Sequence, residues 1–314
     1  MKSLALLLIM MLLALGGCAF PSMNQTGAGA YTVTDDSGRL VSISRCPERI
    51  VSITYGADEI LWDLVDHRRI RALCRYAGDE GITFITKADR AEVGRTVEGN
   101  LESIIAEKPD LVFVTAGTGS EVIDSLTDMG IPVYVTIYPK KWSDLEKKIM
   151  GIARAVKEEE KGKKLVSAMN GRRDAVMERL KKLPEGKERT ALALSFSGVV
   201  GRKGTLFADM MAMDRVKNEA GRIPVEGEGA IFTKEAVIAA DPEVLLLPTW
   251  NFNGRSNAAN LKKDIENDPA YAPVKAVKEG RLVYVEDRYR YVTSHHAAEA
   301  LEAIAKAVYP ELWQ

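Results

Sequence analysis

From Trp142 to Leu183 the sequence holds no strand signal. Leu145, Ile149, Ile152 and Val156 step at helical spacing, then Leu165, Met169, Val176 and Leu180 do so again. Glu158, Glu159, Glu160 and Lys161 separate the two runs. The pattern predicts one helix ending near Val156 and a long one from about Glu158 to Leu183. Charge on both flanks of the second is what an exposed connector between two lobes needs. The apolar spacing is not a sustained heptad, which argues against a coiled coil.

Short apolar runs alternate with helical patterns on both sides of this stretch. Tyr31 to Ser44 alternates around Asp35-Asp36-Ser37-Gly38, a hairpin signal. Strands are predicted at Ile50 to Thr54, Ile70 to Cys74, Leu111 to Thr115 and Val133 to Ile137. Helical faces intervene at Ile60, Leu61 and Leu64, at Leu101, Ile104 and Ile105, and at Val122, Ile123 and Leu126. Beyond the connector, strands are predicted at Ala191 to Phe196, Val244 to Leu247 and Leu282 to Val285. Helices are predicted at Leu206 to Met213, Lys234 to Ala240 and about His296 to Val308, with a loop over Ile223 to Ile231. This rhythm predicts the α/β class: two open lobes with central, mostly parallel sheets, joined by a single long helix. The lobes are placed at 31–140 and 186–314, with linker helices over 141–185.

The start of the chain is read separately. Lys2 precedes a nearly unbroken apolar run from Leu4 to Leu15, then Gly16, Gly17 and Cys18. A run of about a dozen residues is a signal-peptide core, since a membrane span needs about 20. Leu15-Gly16-Gly17-Cys18 resembles a bacterial lipobox. That resemblance implies a signal peptide over 1–17, a mature chain beginning at Cys18 with lipid on its sulfur, and membrane attachment at the outer face of the cytoplasmic membrane or on the periplasmic side. Residues 18–30 are small and polar, and read as a tether. Net charge is −1, which gives no footprint for nucleic acid. Cys46 and Cys74 remain after Cys18; a disulfide outside the cytoplasm stays open for them, with two free thiols the plainer expectation.

In open parallel sheets ligands bind beyond the carboxyl ends of the strands. The candidates on that rule are Tyr55 and Gly56, Arg75 and Tyr76, Ala116 and Gly117, Tyr138 and Pro139, Ser197 and Gly198, Trp250 and Asn251, and the run Arg288-Tyr289-Arg290-Tyr291. Tyrosine, tryptophan and arginine offer flat contact area and donors for anionic groups.

Pro47-Glu48-Arg49-Ile50-Val51-Ser52 followed by Asp58-Glu59-Ile60-Leu61 resembles the opening of substrate-binding proteins of iron-siderophore, haem and cobalamin importers. Asn100-Leu101-Glu102-Ser103-Ile104 with Lys108-Pro109-Asp110-Leu111-Val112 is similar to their second signature. Met129-Gly130-Ile131-Pro132-Val133 fits the next strand. Phe232-Thr233-Lys234-Glu235 with Ala240-Asp241-Pro242-Glu243-Val244 resembles the matching element of the second lobe. The resemblance runs in order along nearly the whole mature chain. It implies a monomer that binds a small molecule between two lobes, closes modestly, and partners an ABC permease dimer with its ATPase. It also implies that Glu102 and Glu235, one per lobe, dock onto arginines of that permease.

The ligand expected from these residues is an iron chelate, with Arg75, Arg288 and Arg290 favouring an anionic one; a corrinoid or haem is the alternative. No permanently bound cofactor is expected. The three histidines are His67, His295 and His296. His67 falls at the start of a strand, the wrong end for a cleft, so a bare zinc or manganese site is poorly supported. His295, at the start of the last helix where the family more often shows Ser-Pro-Arg, is a candidate ligand of haem iron or corrinoid cobalt. An enzyme is disfavoured: no Gly-x-Ser-x-Gly elbow, phosphate loop or dinucleotide fingerprint occurs.

Overall fold

The computed structural model describes residues 29–196, 198–223, 234–251 and 257–314. Cys18, nearly all of the 18–30 tether, Ser197, Phe232, Thr233 and all but the first residue of the Ile223 to Ile231 loop lie outside them. The chain opens with an antiparallel hairpin, β1 (Tyr31–Thr34) and β2 (Leu40–Ile43). The first lobe then runs β3 (Ile50–Ser52), α1 (Tyr55–Leu64), β4 (Ile70–Cys74), α2 (Lys87–Val93), β5 (Thr96–Val97), α3 (Leu101–Ala106), β6 (Leu111–Thr115), α4 (Ser120–Asp128) and β7 (Val133–Thr136). Helices α5 (Trp142–Ala155) and α6 (Glu159–Leu180) follow. The second lobe runs β8 (Thr190–Ser195), β9 (Gly198–Val200), α7 (Leu206–Met213), β10 (Lys217–Asn218), α8 (Lys234–Ala240), β11 (Val244–Leu247), α9 (Ala258–Asn267), α10 (Lys275–Lys278), β12 (Leu282–Tyr284), α11 (Asp287–Arg290) and α12 (Ala297–Val308).

The first sheet is parallel throughout, in the order β5-β4-β3-β6-β7. The second has the order β10-β8-β11-β12, also parallel, with β9 folding back antiparallel on β8. In each sheet the chain winds outward from a central strand, returns, and winds the other way. The reversal falls between β3 and β6 in one lobe and between β8 and β11 in the other. A crevice opens at the carboxyl ends of the strands at such a reversal.

Helices on both faces explain why β6 reads Leu-Val-Phe-Val with no polar alternation. Val112 and Val114 face the α3–α4 side, while Leu111 and Phe113 face α1 and α5. The second lobe repeats this: Leu245 and Leu247 face one way, Val244 and Leu246 the other. The inner core of each lobe is shared. One continuous apolar cluster runs from Ile50 and Phe113 through α5, the Met169–Val176–Leu180 stripe of α6 and Leu301 and Ile304 of α12 to Ala193 and Leu246. Cys46 is exposed and Cys74 buried, and both are free thiols.

Candidate ligand-binding cleft

The carboxyl ends of both sheets face a cleft of about 550 Å³ between the lobes. Tyr55, directly after β3, lines it from the first lobe. Tyr138, Pro139 and Lys140, after β7, do the same. The second lobe supplies Ser195 at the end of β8, the Gly201–Thr205 loop that leads into α7, and Arg290 to Thr293 after β12. Three helices therefore begin at the cleft: α1 at Tyr55, α5 two residues after Lys140, and α7 at Leu206. Their amino-terminal dipoles favour negative charge there.

The side chains push in the same direction. Lys140, Arg202 and Arg290 line the cleft, and among the described residues no carboxylate does. Arg290, 2% exposed, is already matched: its Nη1 donates to Asp287 Oδ1 at 3.0 Å and its Nη2 to the Leu194 carbonyl. Asp287 Oδ2 in turn accepts from the Thr249 and Trp250 amides at 2.7 Å. Arg290 thus pins the ends of β8, β11 and β12 to one another. Lys140 and Arg202 form no ion pair with any described residue. The apolar part of the wall is aromatic. Tyr55 donates its phenol proton across the cleft to the Tyr291 carbonyl at 3.0 Å, and burial holds its phenol pKa far above the ordinary value. Burial likewise raises Tyr291. Tyr138 is 58% exposed at the rim.

Of the residues proposed from sequence, the structure brings Tyr55, Tyr138, Pro139, Gly198, Arg290 and Tyr291 to the cleft wall. Ser197 lies outside the described residues. Arg75, Tyr76, Trp250, Arg288, Tyr289 and His295 are placed elsewhere, chiefly in a seam where the lobes touch. Trp250 donates its indole N–H to Asp79 Oδ2 at 2.8 Å and meets the Tyr76 ring edge-on at 6.2 Å. The Arg75 guanidinium donates to the Tyr76 hydroxyl at 2.7 Å and lies 3.8 Å from Glu98. Arg288 pairs with Glu286 at 2.7 Å and lies over Phe84, whose ring also packs on Tyr289. His295 Nε2 sits 2.8 Å from Asp63 Oδ2, and that contact holds the Asp63 carboxyl below its usual range. Glu59, buried beside them, accepts from Thr83, the Phe84 amide and Ser294 of the other lobe. No described group of three or more His, Cys, Asp or Glu residues is arranged to hold a metal. Ala116, Gly117 and Asn251 do not line the cleft either.

The strand-end rule missed Lys140 and Arg202. Each stands in a loop beyond the residues directly following a strand, close to the start of the next helix. The signal for Arg202 was present: Gly201 and Gly204, with φ of +84° and +85°, bracket it, and Thr205 caps α7 by accepting from the Ala208 amide. Glu102 and Glu235 are both exposed, in the first turns of α3 and α8, the helices that precede β6 and β11. They occupy corresponding positions in the two lobes.

A profile of periplasmic binding proteins matches residues 50–289. This chain belongs to that family. Its members are solute binders, not enzymes. The molybdate-binding protein MolA of Haemophilus influenzae is 26% identical, over 95% of this chain and 90% of that protein. The iron-uptake system-binding protein of Bacillus subtilis is 23% identical, over 91% of each. In solved structures, molybdate-bound MolA superposes with a TM-score of 0.72 at 23% identity, covering 90% of this chain and 93% of that one. The apo haem-binding protein RhuT of Roseiflexus sp. RS-1 gives 0.67 at 21%, covering 84% and 99%. As a periplasmic binding protein, this chain is a solute binder.

Proposed function

We propose that this periplasmic binding protein is the substrate-binding component of an ABC import system and that its ligand is an anionic metal chelate, of the ferric siderophore kind. The working unit is two lobes, 31–140 and 186–314, bridged by 141–185, acting as a monomer without a resident cofactor. Cys18 tethers it to the outer face of the cytoplasmic membrane. It hands the ligand to a permease dimer driven by its ATPase, with Glu102 and Glu235 as the docking charges.

One observation carries the ligand class. The cleft holds Lys140 and Arg202 on opposite walls, each without a counter-ion among the described residues, three helix amino termini, and no described carboxylate. A site of that charge is complementary to an anion. A volume of about 550 Å³ suits a chelate-sized ligand. A second reading, a bare oxyanion of the molybdate type, is favoured by the likeness to MolA; the same cations would receive it. A haem, whose propionates are anionic, or a corrinoid is the alternative chelate, and the likeness to RhuT supports the former.

The test is thermal-shift and fluorescence titration of the chain from residue 19 onward. The ligands are ferric catecholate, ferric citrate, ferric hydroxamate, haem, cobalamin, molybdate, zinc and manganese. The expected result is a rise in melting temperature with an anionic ferric chelate, by mass action. A response to molybdate alone selects the second reading. Responses confined to neutral chelates or bare cations overturn the anionic assignment.

A further inference from the structure

Lys148 lies on α5 and is 2% exposed. Buried ammonium groups are paired, as an unpaired one is costly. Among the described residues this one has neither an ion pair nor a hydrogen bond. The nearby carboxylates, Asp36 and Glu59, act on it through their charge but take their hydrogen bonds from other groups. Asp36 accepts from the Tyr134 hydroxyl at 2.9 Å and from the Ile137 amide, and Glu59 has the three donors named above.

The position of the ammonium is informative. It sits behind Gly56, the one residue in that part of the wall with no side chain. A β-carbon there would lie 3.1 Å from Lys148 Nζ and 2.0 Å from Thr293 Oγ1. Tyr55, next to Gly56, and Thr293, whose side chain packs against it, both line the cleft. The ammonium therefore stands directly behind the Gly56–Thr293 contact of the cleft wall.

We propose that Lys148 supplies the fixed counter-charge for an anionic ligand, acting from directly behind the Gly56–Thr293 contact, so that ligand binding provides the close counter-ion that the ammonium lacks among the described residues. Lys148 is a specificity-determining residue on this view, and the inference rests on the anionic reading of the cleft. The charged groups that act on it are Glu59 of α1 and Asp36 after β1, with Thr293 before α12 beside it at Gly56. Burial lowers the Lys148 pKa to about 8, with Asp36 and Glu59 opposing that shift. An arriving anion restores the ordinary preference for the charged form, so binding near pH 8 takes up protons.

The experiment is isothermal titration of the soluble chain with ferric citrate and with molybdate, with cobalamin as the neutral control. It is run between pH 6.5 and 9.5 in buffers of different ionisation enthalpy. With wild type the expected uptake at pH 8 is about half a proton per bound anion, and affinity falls about tenfold from pH 7 to 9.5. Lys148→Met is expected to bind the anion about tenfold more weakly at pH 7, with neither proton uptake nor that pH dependence. Lys148→Arg keeps the pH 7 affinity and loses the pH dependence. Anion binding by wild type without proton uptake, or unchanged affinity in Lys148→Met, overturns the inference and leaves the anionic reading intact. Wild type that binds cobalamin and neither anion overturns both. Should Lys148→Met not fold, the wild-type proton count alone decides.

Discussion

Asp58 lies wholly inside the first lobe. Its Oδ2 accepts from the Cys74 amide at 2.9 Å, while its Oδ1 has no partner. Burial raises its pKa to about 7, against the hydrogen bond from the Cys74 amide that lowers it. A carboxyl raised in the folded state destabilises the fold once the unfolded chain ionises. The cost is absent below about pH 4, grows up to pH 7 and is constant above, reaching roughly 4 kcal/mol. Asp58→Asn keeps an acceptor for Cys74 and removes the charge. Urea denaturation should find it more stable than wild type by about 1–3 kcal/mol at pH 8 and no more stable at pH 4.5. Equal stabilities at pH 8 would mean that the carboxyl is not strained. Lys148 runs the other way. Its cost is full below pH 8 and disappears as pH rises to 10.5, so Lys148→Met should be more stable at pH 7 by up to about 3 kcal/mol, with the gap closing toward pH 10. Lys148 was not legible in the sequence. It occupies a buried position of a helical stripe, and a single letter does not show that a lysine's partner is missing. Tyr55 and Tyr138 were legible because one general rule about strand ends places them. Lys140 and Arg202 were not, because they stand further along their loops.

At the scale of elements, α1 is the part on which the lobes register. Its first turn lines the cleft, its second carries Glu59 to Ser294, and its third carries Asp63 to His295. Gly56 and Gly81 mark the two tightest points of the seam. A β-carbon at 56 would meet Thr293 Oγ1 at 2.0 Å, and one at 81 would meet Trp250 Cδ1 at 2.4 Å. Gly56→Ala and Gly81→Ala should therefore wedge the lobes apart without touching either core. Small-angle scattering should show a larger radius of gyration, and ligand affinity should drop about tenfold or more for Gly56→Ala. An unchanged radius with unchanged affinity would show that the seam gives way locally. The long helices and buried strands were legible because each buries a periodic apolar face. Helix α2 was not, since it buries no residue. Its only signals were its ends, a capping box between Thr86 and Asp89 and Gly94 at φ +76°. Strands β5 and β10, two residues each, carry no period to read. The Arg288 to Tyr291 run was expected to line the cleft as a unit. It forms a single helical turn and its carboxyl end, so its side chains diverge: Arg290 and Tyr291 reach the cleft, while Arg288 and Tyr289 turn to Phe84.

Across the whole molecule, the shared inner core and the α1 seam hold the two lobes, and with them α3 and α8, together. Glu102 and Glu235 sit in the exposed first turns of those two helices, away from the cleft wall. Two charges held at a set separation can be read by a symmetric pair of receptor sites, and a change in either lobe changes the reading. If they dock the permease, reversing both to lysine should abolish uptake in cells. Ligand affinity of the purified protein should remain within about twofold of wild type, because neither residue lines the cleft. Each single reversal should weaken docking about tenfold or more, steeply with falling ionic strength, since the repulsion introduced is screened by salt. Normal uptake by the double variant would remove the docking role. Loss of ligand affinity would place these residues in the coupling between the lobes and not on the outer face.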